Sequence, residues 1–170
     1  MPMINASIEE CHKYGLLHDA VAVILFDKDD RILFISRSRN KLGGGKWEIP
    51  ATHSTGIGWF NDGLHCIKNE IGVTNVNLGY LGEFHYSAEV DDVKENENVH
   101  VLIAEFNGLP KPNPEHCTDF AWIPLVSKAW MQKEKSYAIW SLKGIDALFD
   151  KVCDYIKKYR SISEFDIPYE

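Results

Sequence analysis

Residues 47–73 read WEIPATHSTGIGWFNDGLHCIKNEIGV, in which Glu70 is the one acid in the last two turns of a helical pattern. A carboxylate near a helix C-terminus works against the helix dipole, so its presence there argues for a use. One such use is a cation. Mg2+ takes hard oxygen ligands and is held by few carboxylates when substrate phosphate completes its shell. An acidic pair elsewhere, Glu95 and Glu97 in ENE, would share one face of an extended segment, because side chains alternate along a strand. The competing reading of EVDDVKENENV is a solvated acidic loop. GGGKW lacks the spacing of a phosphate-binding P-loop and is set aside.

The elements that must position these groups follow from pattern. DAVAVILFD and RILFIS, split by KDD, read as a hairpin rich in β-branched residues. KWEIPA is a short strand. The helix after it is expected to start with Asn61 or Asp62 as N-cap, to bury Leu64, Ile67 and Ile71, and to stop at Gly72. Residues 78–88 and 98–106 read as strands around an acidic loop at 89–97, and 109–116 as a proline-rich surface connection. FAWIPL is a last strand, and residues 136–160 form a terminal helix carrying Ile139, Leu142, Leu148, Val152 and Ile156. Interleaved strands and helices predict an α/β sandwich around a mixed sheet. A single domain over 1–170 is expected, with 1–17 as a lead-in and 143–170 as a C-terminal helix and tail.

Eighteen Lys and Arg against 25 Asp and Glu leave a net charge of −7, which argues against a nonspecific nucleic-acid binder. Cys11, Cys66, Cys117 and Cys153 show no paired spacing, as expected of free thiols in a reducing cytoplasm. The longest apolar run, AVAVILF, is too short to span a membrane.

The W-x-x-P segment leading into a loop and a helix ending E-x-G-V resembles the Nudix superfamily across residues 18–142. That resemblance implies an α/β/α sandwich around a mixed β-sheet. The superfamily box is G-x5-E-x7-R-E-U-x-E-E-x-G-U, with U aliphatic. Aligned on Gly72, its positions fall here on Ala51, Ile57, His65, Cys66, Ile67, Asn69, Glu70, Gly72 and Val73. Of the three helix carboxylates only Glu70 remains. Loss of two weakens the multi-metal arrangement by which such hydrolases activate water.

The type I isopentenyl-diphosphate isomerase branch is similar to what remains. It implies a metal site of His12, His18, His53, Glu95 and Glu97, with Glu70 holding a further Mg2+ through substrate phosphate. Imidazole with carboxylate also suits Mn2+ or Zn2+. The resemblance implies Arg37 and Lys41 as diphosphate contacts, Tyr86 as an aromatic catalytic partner and Trp140 as the indole facing a carbocation. It breaks at Ala51, where the isomerases carry a catalytic cysteine, and at Cys66, where they carry a phosphate-contacting arginine.

The expected function is therefore metal-dependent hydrolysis of a small nucleoside or isoprenoid diphosphate. In that scheme Glu97 or Glu95 activates water, and Arg37, Lys41 and Glu70-bound Mg2+ orient the phosphates. The alternatives are an isomerase-like enzyme with altered acid/base residues and a diphosphate-binding module without turnover.

Overall fold

The computed structural model of the chain describes residues 6–134 and 136–165. The elements run α1 (Ile8–Tyr14), β1 (His18–Phe26), β2 (Arg31–Arg37), β3 (Trp47–Glu48), β4 (Ala51–His53), α2 (Trp59–Ile71), β5 (Gly79–Val90), β6 (Val93–Glu105), β7 (Cys117–Pro124), α3 (Lys128–Glu134) and α4 (Ile139–Phe165). Residues 1–5 of the expected lead-in and 166–170 of the expected tail lie outside the described residues.

Seven strands form one mixed sheet along the path β3-β2-β1-β6-β5, with β4 added to β1 and β7 to β2. β1 supplies seven consecutive buried residues, Ala20 to Phe26. Such a run marks a strand covered on both faces. Its even-numbered members, from Ala20 to Phe26, pack with Leu148, Val152 and Ile156 of α4. Val21, Val23 and Leu25 pack on the opposite face with Ile67 and Ile71 of α2. Two helices thus sandwich the sheet.

β1 and β2 do pair antiparallel, but they meet only at Phe26 and Ile32. The other end of the same β1 edge is taken by β4, through Ala20–His53 and Ala22–Ala51. The sheet therefore opens between β4 and the β2–β3 pair, and the cleft lies in that opening. The opposite edge of β1 runs parallel to β6, in register from His18–Glu97 to Phe26–Glu105.

The segment expected as an acidic loop, 89–97, is mostly strand. β5 and β6 join through Asp91 and Asp92 alone, at φ 49° and 66°. This two-residue turn has both centres left-handed, a geometry that matches strand twist and that Asp tolerates. Glu95 and Glu97 therefore stand on β6, with Tyr86 directly opposite Glu97.

α2 also begins earlier than expected, with Gly58 at its N-cap. Asp62 is inside the helix and accepts from Ser54 Oγ at 3.1 Å, Thr55 N at 3.0 Å and Thr55 Oγ1 at 2.6 Å. It pins the loop that follows His53 and caps nothing. Leu64 is exposed, and the buried face runs through Gly63, Cys66, Ile67, Glu70 and Ile71. α3 was not legible in the pattern. Among the described residues no helix is long and apolar enough to cross a membrane.

Candidate metal centre and diphosphate cleft

Four elements bring three histidines and a glutamate together. His12 rides on α1, whose start is closed by a capping box of Ser7 and Glu10 and whose end is the left-handed Gly15. Asn96 Nδ2 donates to the Gly15 carbonyl at 2.9 Å and ties that helix to β6. His18 opens β1 directly beside Glu97 in the parallel register, and His53 ends β4 beside Ala20. The three ring centroids are 4.9 to 5.3 Å apart. One ligand atom each from His12, His18, His53 and Glu97 falls within 4.8 Å of all the others.

The chemistry of these atoms fits a divalent cation. His18 Nδ1 lies 2.9 Å from the Leu16 carbonyl and donates to it, which leaves the Nε2 lone pair facing inward. His12 Nε2 and His18 Nε2 are buried without a hydrogen-bond partner. Glu97 Oε1 stands 3.4 Å from His18 Nε2 and 3.3 Å from His53 Nε2, and Glu95 Oε1 stands 3.7 Å from His12 Nε2. Burial and the neighbouring His53 and His18 hold His12 below the usual imidazole value. Burial opposes a charged His18 as well, but Glu97 and the Leu16 carbonyl outweigh it and raise that ring. The Glu97 carboxylate beside Nε2 favours positive charge at that point, which a bound cation would supply.

Tyr86 links the two acids. Its hydroxyl is 3.0 Å from Glu95 Oε2 and 3.0 Å from Glu97 Oε2. A phenol has one proton to donate, so the pair accommodates it only if one carboxyl accepts at a time or carries a proton itself. Burial and the adjacent Glu97 push Glu95 up to about 7. Burial acts the same way on Glu97, but the adjacent His18 and His53 rings reverse it and hold that carboxylate well below its ordinary value. Burial between two acids also raises the Tyr86 phenol far above its ordinary value.

Glu70 stands apart from the histidine group but lines the same cleft, together with Arg37, Lys41, Glu48, His116 and Trp140. It is 6% exposed, and its Oε2 has no partner. Burial and the nearby Glu48 carboxylate push it up to about 7. The neighbouring box positions offer no ligand beside it. Burial and Glu70 raise the Cys66 thiol well above its usual value and so keep it protonated. Asn69 is exposed and bonds His65 at 2.7 Å.

Sequence reasoning missed Glu48. Fully buried, it accepts from Arg37 Nη1 at 2.7 Å and from Trp140 Nε1 at 2.8 Å. Arg37 Nε donates to the Leu42 carbonyl at 2.8 Å, and the guanidinium lies 4.9 Å over the Trp140 ring. One acid thus sets both the Arg37 guanidinium and the Trp140 indole. The only signal for it was a charge inside the strand WEIPA. The cleft encloses about 410 Å³, within the range of small-molecule sites. Behind it lies an apolar chamber formed by residues such as Ala22, Phe34, Val99 and Leu148. Ala51, Glu97 and Trp140 line both spaces.

Known proteins share this arrangement of elements. The chain is 30% identical over 123 residues to isopentenyl-diphosphate Delta-isomerase of Rhodobacter capsulatus, covering 67% of this chain and 68% of that protein. The chain belongs to the isopentenyl-diphosphate isomerase family of the Nudix superfamily. A second family member, isopentenyl-diphosphate Delta-isomerase 1 of Aromatoleum aromaticum, is 25% identical over 163 residues, 83% of this chain and 80% of its own length. No family model matches the chain. Among solved structures, the MutT protein of Methanosarcina mazei superposes with a TM-score of 0.67 at 16% identity, over 83% of this chain and 96% of that one. The NUDIX domain of Shewanella oneidensis NrtR, complexed with ADP ribose, gives 0.63 at 14% identity, over 89% and 94%. These structural likenesses establish the fold that this family member shares with Nudix hydrolases.

Proposed function

We propose that the protein is a metal-dependent enzyme acting on a small diphosphate that carries a branched alkenyl group, and that it moves a proton at the alkene while the diphosphate stays attached. The observation that carries this reading is the junction of two environments. A polar cleft with Arg37, Lys41 and Glu70 adjoins an apolar chamber, the two sharing Ala51, Glu97 and Trp140 as lining. A charged head and a hydrocarbon tail would each find a matching surface, as they do in a substrate of the named relatives.

In this scheme the phosphates meet Arg37 and Lys41, and Glu70 would hold a Mg2+ that supplies positive charge against them. Glu97 and Tyr86 face one side of the alkene. The group delivers one proton to a carbon of the double bond, and the charge moves to the branched carbon. The same Tyr86–Glu97 group, left one proton short, then takes a proton from the neighbouring carbon, which restores both the group and a double bond at its new place. The Trp140 indole, fixed by Glu48, would stabilise the cationic stage by about 1–2 kcal/mol in a dry chamber. A Mn2+, Zn2+ or Mg2+ ion held by His12, His18, His53, Glu95 and Glu97 would supply positive charge that makes the Tyr86–Glu97 group a better acid.

Hydrolysis, the activity expected first from the sequence, is the second reading, and Ala51 favours it. A methyl group exchanges no proton, so the face of the alkene opposite Glu97 lacks the thiol partner that the family resemblance implies. Four free thiols are consistent with work in a reducing cytoplasm.

Incubation of the metal-loaded protein with isopentenyl diphosphate in heavy water separates the readings. Proton and phosphorus NMR are expected to show deuterium entering the product alkene with no phosphate released. Phosphate release without deuterium would establish hydrolysis, and neither signal with saturable binding would mean a binding module.

A further inference from the structure

We propose that His116 is a third phosphate-binding side chain, which with Arg37 and Lys41 completes an anion site on the cleft wall. The inference rests on the diphosphate reading above and adds to it a residue from a segment that the sequence pattern marks only as a surface connection.

That connection is tied down at several points. Lys111 N donates to the Ile71 carbonyl at 2.8 Å, Asn113 N to the Glu70 carbonyl at 2.8 Å and Ser38 N to the His116 carbonyl at 3.0 Å. These bonds hold residues 111–116 against the end of α2 and the end of β2, so the half-buried His116 lines the cleft in a fixed position. Its Nδ1 lies 2.8 Å from Lys41 Nζ. An ammonium can only donate, so Nδ1 accepts and the ring proton sits on Nε2. Among the described residues that Nε2–H meets no acceptor. Burial and the flanking Lys41 and Arg37 keep the ring neutral.

The charge count of the cleft gives that donor a purpose. Arg37 is matched by Glu48 at 2.7 Å. α2 turns no cation to the cleft, since position 66 is a protonated thiol and Lys68 is exposed. Lys41 is then the one unmatched cation named on this wall, facing a diphosphate of several negative charges. A fixed N–H beside it adds a charge-assisted bond, and such bonds are the strong class. The competing role for His116 is only to hold Lys41 in place.

Calorimetric titration of the full chain with inorganic diphosphate and Mg2+, together with nitrogen-resolved NMR of the histidine rings, tests this. His116→Ala is expected to weaken diphosphate binding about tenfold or more. His116→Gln, whose amide still donates, is expected to recover part of that loss. In the wild type the His116 Nε2 resonance is expected to move as diphosphate saturates. A stationary Nε2 resonance at saturation, or unchanged affinity in His116→Ala while Lys41→Ala loses binding, would overturn the assignment. If the wild type binds no diphosphate, the functional reading itself fails, and that result is distinct from failure at His116 alone.

Discussion

Tyr86 sits where the burial of two acids has to be reconciled with a single shared proton. Its hydroxyl reaches both Glu95 and Glu97 at 3.0 Å, so one phenol proton serves two buried carboxyls. Tyr86→Phe removes the bridging proton but none of the four grouped ligand atoms. Turnover is expected to fall by about 10²–10⁴-fold, with the metal content of the purified protein unchanged. Steady-state kinetics and metal analysis of the same preparation read both. At this scale part of the site was legible. Order along the chain, read against the family, pointed to His12, His18, His53, Glu95 and Glu97, and the structure brings these side chains into one neighbourhood. Glu48 and His116 were not legible. Glu48 meets Trp140 across 92 residues, and His116 meets Lys41 across 75. No local pattern encodes such distant partners.

Among the elements, α2 shows how position overrides propensity. Gly63 lies within it, where glycine costs about 1 kcal/mol relative to alanine. The reason is proximity. A Cβ at Gly63 would stand 2.7 Å from Leu102 Cδ1 and 3.2 Å from Val23 Cγ2, both on the sheet below. Gly63→Ala is therefore expected to destabilise the fold by about 1–3 kcal/mol despite its better helix propensity. Denaturant unfolding measures this, and a stabilised variant would mean that the helix has room to move. Apolar runs made β1, β2 and the terminal helix visible in the sequence. Besides α3, two features stayed hidden for physical reasons. The β5–β6 turn uses two aspartates at positive φ, where Asn-Gly is the usual signal. The start of α2 was misplaced because Asp62 spends its carboxylate on Ser54 and Thr55 and leaves the cap to Gly58.

For the molecule as a whole, a net charge of −7 coexists with a cleft wall bearing Arg37 and Lys41. Global composition argued against a nonspecific nucleic-acid binder but was silent on that local field. Stability depends on acids outside the cleft too. Asp27 is 4% exposed and accepts from Arg31 Nε at 2.7 Å, Arg31 N at 2.9 Å and Asp29 N at 3.0 Å. Burial opposes its charge, yet the bonds to Arg31 prevail and lower its pKa. The sign follows directly. A depressed folded pKa adds stability above the unfolded value of about 3.9, and that stability is lost as pH falls through the folded value. Asp27→Asn is expected to be less stable than the wild type by about 1 kcal/mol at pH 7. The difference should shrink as the pH is lowered below 4. Urea unfolding at both pH values checks it, and a gap that widens in acid would refute the assignment.

The parallel β1–β6 register and the antiparallel β1–β4 register gather His18, Glu97 and His53, and α1 folds His12 over them. That convergence is what the account asks of a cation site, and metal stoichiometry tests it most directly. Elemental analysis of protein purified without added metal is expected to find close to one Mn2+, Zn2+ or Mg2+ per chain, and a small fraction of that in His18→Ala and His53→Ala. No bound metal in the wild type, or equal occupancy in the variants, would contradict it.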